Sequence, residues 1–89
     1  MIVEFDKSFG KSLDNLNNKS LFPKIGKLIE TVESSTTLSE ISSLKKLAGY
    51  KNYYRFRLGD YRVGIEKINE KTIRFIIIAH RKNIYNKFP

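Results

Sequence analysis

The stretch NYYRFRLGDYRV at residues 52–63 decides the fold of the second half of the chain. Residues 52–58 alternate between the two sides of an extended chain, which is typical of a β-strand with one buried face. Gly59-Asp60 predicts a two-residue hairpin turn, and residues 61–68 form the returning strand. A turn of this length also fixes the pairing of the two strands. The pairs placed opposite one another are Leu58 with Tyr61, Arg57 with Arg62, and Arg55 with Gly64.

The two faces of this predicted hairpin differ in their chemistry, because side chains alternate in direction along a strand. One face is apolar and aromatic, and we assign it to the core. It holds Tyr54, Phe56, Leu58, Tyr61, Val63 and Ile65. The other face holds Tyr53, Arg55, Arg57, Arg62 and Glu66. Gly64 has no side chain and leaves room there for another group to approach the sheet.

Three arginines on one face of a hairpin repel one another, and only Glu66 is placed to offset them. A guanidinium donates two parallel hydrogen bonds to a phosphate and stays charged at any working pH. The cluster of Arg55, Arg57 and Arg62 therefore predicts an anionic partner with several charged oxygens. A solvated strand face is the alternative, but such a face normally mixes its charges.

The last strand is predicted over residues 72–80, where three consecutive isoleucines indicate cover on both faces. It ends in the only histidine, His80, followed by Arg81. Imidazole is the side chain that exchanges protons most readily near neutral pH, and we place His80 next to the arginine face. Tyr85 lies in a tail, residues 82–88, that forms one short helical turn; it is a candidate for base stacking or proton transfer. Structural roles for both residues remain open.

The first half of the chain predicts one strand and two helices. Residues 2–6 alternate as a short strand, and Asp6 or Ser8 caps the first helix. Phe9, Leu13 and Leu16 recur along that helix at helical spacing. The second helix begins near Lys19 or Ser20, has Pro23 in its first turn and ends in the run at residues 34–37. Its apolar face consists of Leu21, Ile25, Leu28, Ile29 and Val32.

Residues 38–49 carry only a weak helical pattern, and most of this segment is predicted to be loop. The expected fold class is α+β: a small antiparallel sheet with an N-terminal strand, a two-helix hairpin packed on one face, and three C-terminal strands. The helices cover the apolar face of the sheet and leave the other face partly open. We expect residues 1–89 to form a single domain.

Composition narrows the classes of function. The chain has no cysteine, which excludes disulfides, thiol catalysis and thiolate zinc sites and is consistent with the cytoplasm. It has no apolar run of about 18 residues, so no membrane association is expected. The net charge is +8, and it is unevenly distributed. Residues 1–44 carry five basic and six acidic side chains, whereas residues 45–89 carry twelve basic and three acidic ones. Such a field attracts a polyanion.

The order of these segments resembles that of the RelE/ParE superfamily of toxins from type II toxin–antitoxin systems. The likeness is carried by Tyr53-Tyr54-Arg55-Phe56-Arg57-Leu58, by Gly59-Asp60-Tyr61-Arg62-Val63, by Ala79-His80-Arg81-Lys82 with Tyr85, and by the opening Phe5-Asp6-Lys7-Ser8-Phe9. It runs over nearly the whole chain. The resemblance implies a RelE-like fold and, for the RelE branch, cleavage of mRNA in the decoding site of the ribosome.

The resemblance also implies roles for individual residues. Arg62 corresponds to a phosphate-binding arginine, Arg81 to a basic catalytic residue, and His80 and Tyr85 to residues that move protons. The RNA-binding set comprises Arg55, Arg57, Lys51 and Lys82. A cognate antitoxin protein is implied as a partner in a hetero-oligomer, in addition to mRNA and the ribosome. The reaction expected is attack of a ribose 2′-hydroxyl on the adjacent phosphate, which requires no metal or other cofactor.

Two other classes of function compete with the nuclease. ParE-like members of the same superfamily inhibit DNA gyrase without cutting nucleic acid, and a shared fold does not decide between the two activities. The cluster of Arg55, Arg57 and Arg62 favours the nuclease, because a protein inhibitor has no need of convergent phosphate ligands. A simple RNA-binding module is the third class, but the sequence has no repeated platform of exposed aromatic residues.

Overall fold

The computed structural model describes all of residues 1–89. Its elements follow in the order β1 (Ile2–Phe5), α1 (Lys7–Asp14), α2 (Leu21–Ser34), a 3-10 turn (Leu38–Glu40), β2 (Leu44–Lys46), β3 (Tyr53–Leu58), β4 (Tyr61–Asn69), β5 (Thr72–His80) and α3 (Ile84–Lys87). None of the helices has the length and apolar composition that crossing a membrane requires.

The five strands form one sheet in the order β1-β5-β4-β3-β2. The predicted α+β class is confirmed, with one difference in the sheet. Strand β1 pairs with β5 in parallel, while all other pairs are antiparallel. The sheet is therefore mixed rather than wholly antiparallel. No tight turn joins β1 to β5, so nothing forces these two strands into the antiparallel arrangement that a hairpin requires.

Both predicted helices are present and cover one face of the sheet. Asp6 caps α1, accepting a hydrogen bond from the backbone N–H of Ser8 at 3.0 Å. Pro23 lies in the first turn of α2, as predicted. The helices and the sheet enclose one main core. Its most deeply buried side chains are Phe9, Leu21, Ile25, Leu28 and Val32 from the helices and Val63, Ile65, Ile73, Phe75 and Ile78 from the strands.

The β3–β4 hairpin has the predicted register. Leu58 lies opposite Tyr61, Arg57 opposite Arg62, and Arg55 opposite Gly64. The turn needs a left-handed residue, and Gly59 supplies it with a φ of 61°. The apolar face of the hairpin packs against the helices, as expected, and Val63 is fully buried there.

Residues 38–49 differ from the prediction. The helical pattern is wrong beyond Glu40, because the chain extends there and Leu44–Lys46 pairs with β3 as the edge strand β2. Before it, the carboxylate of Glu40 accepts hydrogen bonds from the backbone N–H groups of Thr36 and Thr37, which fixes the 3-10 turn. Burial of Ile41 in the core then holds this segment against the sheet, overriding the weak local pattern.

Strand β5 contains a bulge at Ile76. Ile65 pairs with Phe75 and Gly64 pairs with Ile77, so Ile76 has no partner in β4. Helix α1 supports this bulge: the hydroxyl of Ser8 donates to the carbonyl of Ile76, and the hydroxyl of Ser12 accepts from the N–H of Ile78. An extra residue in a strand reverses the side-chain alternation beyond it. Because of this reversal, Ala79 and His80 at the end of β5 face the opposite sides of the sheet from those that a regular strand would give them.

Another group does approach the second face of the sheet at Gly64, as the missing side chain predicted. The ring of Phe88 occupies that position, and a Cβ at residue 64 would lie only 2.7 Å from its Cγ atom. Ile84 and Phe88 anchor the C-terminal tail there in a small second core that also includes Ala79. The space left by the missing side chain therefore accommodates the chain's own tail.

Candidate functional site

The face of the sheet opposite α1 and α2 holds a cavity of about 530 Å³ beside the docked tail. Strands β2, β3 and β4 and helix α3 all contribute to its wall. We call it the arginine cavity, and the residues that line it are Ser43, Leu44, Lys45, Arg55, Arg57, Arg62 and Tyr85. The structure thus brings together four of the residues that the sequence analysis singled out, and it adds a lysine to them.

No acidic side chain lines this cavity. Glu66, which was expected to offset the arginines, forms no ion pair, and the neighbouring Arg74 binds Glu4 instead, at 2.9 Å. None of the three ion pairs of the protein involves a residue of the cavity. The four positive charges therefore face one another without internal compensation. Such an arrangement is favourable when several anionic oxygens bind between them.

Arg62 is held in place by the hairpin turn. Its Nη1 atom donates to the carbonyl oxygens of Gly59 and Tyr61, both at 2.8 Å. These bonds use one end of the guanidinium and leave its Nε and Nη2 groups without partners in the protein. A guanidinium fixed in this way loses little freedom when it binds a phosphate. Among the guanidinium groups of the cavity, that of Arg62 is therefore the one held by hydrogen bonds to the hairpin turn.

Tyr85 and Arg55 form a second feature of the cavity. The guanidinium carbon of Arg55 lies 4.7 Å from the centroid of the Tyr85 ring, and the ring itself is 74% exposed. Hydrogen bonding from Arg55, followed by its positive charge, lowers the pKa of the Tyr85 hydroxyl below the ordinary value of 10.0. The charges of Lys45 and Arg62 add to the effect. A lowered pKa makes a phenol a more accessible proton acceptor.

Lys45 is the cavity residue that the sequence analysis missed. It lies on β2 directly opposite Arg55 and joins the arginines on the same face. Its recognition required β2 to be identified as a strand. The sequence Leu44-Lys45-Lys46 does not alternate between apolar and polar side chains, and three residues are too few to establish a strand.

His80 does not lie beside the arginine face, contrary to the prediction. The bulge at Ile76 turns it to the helix side of the sheet, where its ring lies 5.3 Å from the ring of Tyr61. Its Nδ1 atom accepts a hydrogen bond from the backbone N–H of Lys82 at 3.2 Å. His80 therefore lines a different cavity, together with residues of α1.

The other predicted residues lie outside the cavity. The Nε atom of Arg81 is 3.9 Å from the carboxylate of Asp60, next to the hairpin turn, and its backbone N–H donates to the Asp60 carbonyl. Lys51 is exposed in the loop between β2 and β3, and Lys82 is exposed just after β5. None of these three cations contributes to the wall of the cavity.

A sequence profile described as the ParE toxin of the type II toxin–antitoxin system, parDE, matches residues 3–85. The match spans almost the entire chain and includes every residue that lines the arginine cavity. The chain therefore belongs to this family of toxins from type II toxin–antitoxin systems, as its resemblance to the RelE/ParE superfamily indicated.

Within the family, the chain is similar to RelE toxins. It is 42% identical to Toxin RelE3 of Methanocaldococcus jannaschii over 90 residues, which covers 100% of both chains. A chain of the RelB–RelE antitoxin–toxin complex from Methanococcus jannaschii superposes with a TM-score of 0.80 at 41% identity, over 97% of this chain and 99% of that one. For the RelE–RelB complex from Pyrococcus horikoshii OT3 the TM-score is 0.70 at 28% identity, over 90% and 93%.

Proposed function

We propose that this toxin is a metal-independent endoribonuclease that cleaves mRNA in the decoding site of the ribosome. The observation that carries the proposal is the cavity where four uncompensated cations converge on a tyrosine of lowered pKa. This arrangement provides both requirements of phosphodiester cleavage within RNA, which are ligands for a phosphate and a group that accepts a proton.

In the proposed reaction the ribose 2′-oxygen attacks the adjacent phosphorus as its proton passes to the Tyr85 phenolate. The bond from phosphorus to the 5′-oxygen breaks, and Lys45 donates a proton to that oxygen. The products are a 2′,3′-cyclic phosphate and a 5′-hydroxyl. Arg62 holds the scissile phosphate, and Arg57, directly opposite it, stabilises the charge that grows on the phosphate oxygens.

Arg55 has two functions in this scheme. It lowers the pKa of Tyr85, and it contributes a positive charge to the binding of the RNA backbone. Arg81, Lys51 and Lys82, which lie outside the cavity wall, are proposed to contact flanking phosphates. Proton transfer is assigned to Tyr85 rather than to His80, because only Tyr85 lies among the phosphate ligands.

We further propose that a cognate antitoxin protein binds this toxin in the cytoplasm and blocks the cavity. Two of the similar structures are complexes of RelE with RelB, and the basic surface of this chain suits an acidic partner that folds on binding.

The direct test is to express the chain from a tightly controlled promoter and to map the 5′ ends of cellular mRNA within minutes. We expect cuts inside translated codons that disappear with Arg62→Ala. Lys71→Ala, which removes an exposed charge far from the cavity, should leave the cuts unchanged. Growth arrest with intact mRNA and damaged DNA would contradict the proposal and would support the inhibition of gyrase instead.

A further inference from the structure

A second cleft, of about 400 Å³, lies on the helix side of the sheet. Residues of α1, the end of β5 and the C-terminal tail surround it, and it contains the displaced His80. In β4, Tyr61 and Arg62 are adjacent, with Tyr61 lining this cleft and Arg62 lining the arginine cavity. The two cavities therefore occupy the same end of the sheet on opposite faces.

The cleft is rich in polar groups that the protein does not use. The side chains of Asn15, Asn17 and Asn83 line it, and none of them forms a hydrogen bond within the protein. Each amide offers a donor and an acceptor, the combination that recognises the edge of a nucleobase. Three such free amides around one cleft indicate a ligand with mixed hydrogen-bonding groups.

The two formally charged side chains that line the cleft are both positive. Lys11 of α1 and Lys87 of α3 line it, neither forms an ion pair, and no carboxylate is present among the lining residues. Two free ammonium groups facing one small space favour an anion such as a phosphate. This feature separates the cleft from an ordinary polar surface, on which charges of both signs are mixed.

The wall of the cleft also has an aromatic component. The rings of Tyr61 and His80 pack edge to face at 5.3 Å, and the Nε2 atom of His80 has no partner in the protein. Partly exposed rings of this kind provide a surface on which a base stacks. The bulge in β5 thus places the His80 ring where it can contact a ligand in this cleft.

We propose that this cleft binds one nucleotide of a single-stranded RNA, with its phosphate held by Lys11 and Lys87 and its base bounded by the free amides and by Tyr61 and His80. The inference rests on the proposed function, since it names a second contact for the same RNA. The strand passes around the end of the sheet from the arginine cavity to the cleft. A helix of the antitoxin is a poorer occupant, because such a helix buries an apolar face, whereas only five of the thirteen residues that line the cleft are hydrophobic.

The test is an NMR titration of the intact protein with adenosine 5′-monophosphate and with a hexanucleotide RNA whose 2′-hydroxyls are methylated to prevent cleavage. We expect both probes to shift the backbone amides of Ser12, His80 and Asn83. The variant Lys11→Gln/Lys87→Gln should lose these shifts and bind the hexanucleotide about tenfold more weakly, because a phosphate contact is removed. The control Lys7→Gln/Lys19→Gln makes the same change of charge outside the cleft and should retain both properties.

Equal weakening in the two double variants, or shifts confined to the arginine cavity, would overturn the cleft as a binding site. Either result would leave the nuclease proposal intact, because that proposal depends on the cellular cuts and on Arg62. Conversely, the mononucleotide shifts should persist in Arg62→Ala. They therefore report on the cleft even if the chain cleaves no RNA. The inference would also be contradicted if the hexanucleotide shifted none of these amides while the antitoxin displaced the bound mononucleotide. That result would assign the cleft to the antitoxin.

Discussion

Arg57 and Arg62 lie directly opposite each other in the β3–β4 hairpin, yet they are held differently. Arg62 donates to two carbonyls of the turn, whereas the guanidinium of Arg57 has no hydrogen-bond partner in the protein. The register that pairs them follows from Gly59-Asp60 and was predictable from the sequence. The fixation of Arg62 was not, because it depends on the carbonyl directions of a turn that only the folded chain defines.

Replacement of Arg62 by alanine should lower the rate of RNA cleavage by about 10²–10³-fold, the usual effect of losing one preorganised ligand of a transition state. Single-turnover cleavage on purified ribosomes measures this rate. Arg62→Lys should recover only part of the activity, because an ammonium group provides a charge without the planar fork. The midpoint of thermal unfolding should stay close to that of the parent protein. Cleavage at the parent rate in Arg62→Ala would show that Arg62 takes no part in the reaction.

Tyr85 leads to a prediction about pH. A general base must be deprotonated, so kcat/KM should rise with pH and level off once the pH exceeds the pKa of Tyr85. Because Arg55 lowers that pKa, Arg55→Gln should move the rising limb to higher pH, towards the ordinary tyrosine value. Tyr85→Phe should abolish the limb.

Arg57→Gln is the matched control for the pH prediction. It removes the same charge from the same strand, but Arg57 is not among the causes of the pKa shift of Tyr85. This variant should lower the rate and leave the midpoint of the profile where it was. A midpoint that moves equally in both variants would show that general surface charge, and not the Arg55–Tyr85 contact, sets the pH dependence.

At the scale of elements, the sequence pattern predicted those helices and strands that are determined by residues close together in the chain. The alternation at residues 52–68, the capping residue Asp6 and the helical spacing of the apolar residues in α2 identified a hairpin and two helices correctly. Strand β2 and the bulge at Ile76 escaped prediction because long-range contacts produce them. Strand β2 is defined by its pairing with β3, and the bulge is supported by hydroxyls of α1. As a consequence, Lys45 was missed and His80 was assigned to the wrong face.

The docking of the C-terminal tail predicts a coupling between Gly64 and Phe88. A methyl group at residue 64 would collide with the Phe88 ring, so Gly64→Ala should destabilise the protein by about 1–3 kcal/mol through overpacking. It should also reduce cleavage, because displacement of the tail carries Tyr85 away from Arg55. Urea unfolding, together with the cleavage assay, measures both effects.

The double variant Gly64→Ala/Phe88→Ala separates this collision from a general intolerance of β4 to alanine. Once the ring is absent, alanine at residue 64 should cost nothing further and should even favour the strand, since glycine is a poor strand residue. The coupling free energy should therefore be about as large as the cost of Gly64→Ala alone. Additive costs would mean that Phe88 does not occupy the space above Gly64 in solution.

At the scale of the whole molecule, the positive charge is concentrated in the second half of the chain. Residues 45–89 form β2 to β5 and α3 and contain twelve of the seventeen basic side chains, whereas α1 and α2 belong to the nearly neutral half. This imbalance was evident in the sequence and indicated a polyanionic partner. It did not show that four of these cations line one cavity, because that arrangement requires the pairing of β2, β3 and β4.

The same asymmetry predicts how a cognate antitoxin binds. We expect the product of the neighbouring gene to form a complex with this toxin and to restore growth when both are expressed. If acidic side chains of the antitoxin cover the basic half, association should be electrostatically steered, and its rate constant should fall by about tenfold or more between low and high salt. Stopped-flow mixing at several ionic strengths measures this dependence.

Two matched variants show which surface of the toxin attracts the antitoxin. Lys45→Gln/Arg57→Gln removes two charges from the arginine cavity and should reduce both the association rate constant and its salt dependence. Lys7→Gln/Lys19→Gln removes two charges from the helical half and should change them much less, since rate enhancement follows the field at the docking surface. Equal effects would indicate attraction by net charge alone. If the neighbouring product neither bound nor neutralised the toxin, the assignment of an antitoxin to this basic surface would be wrong.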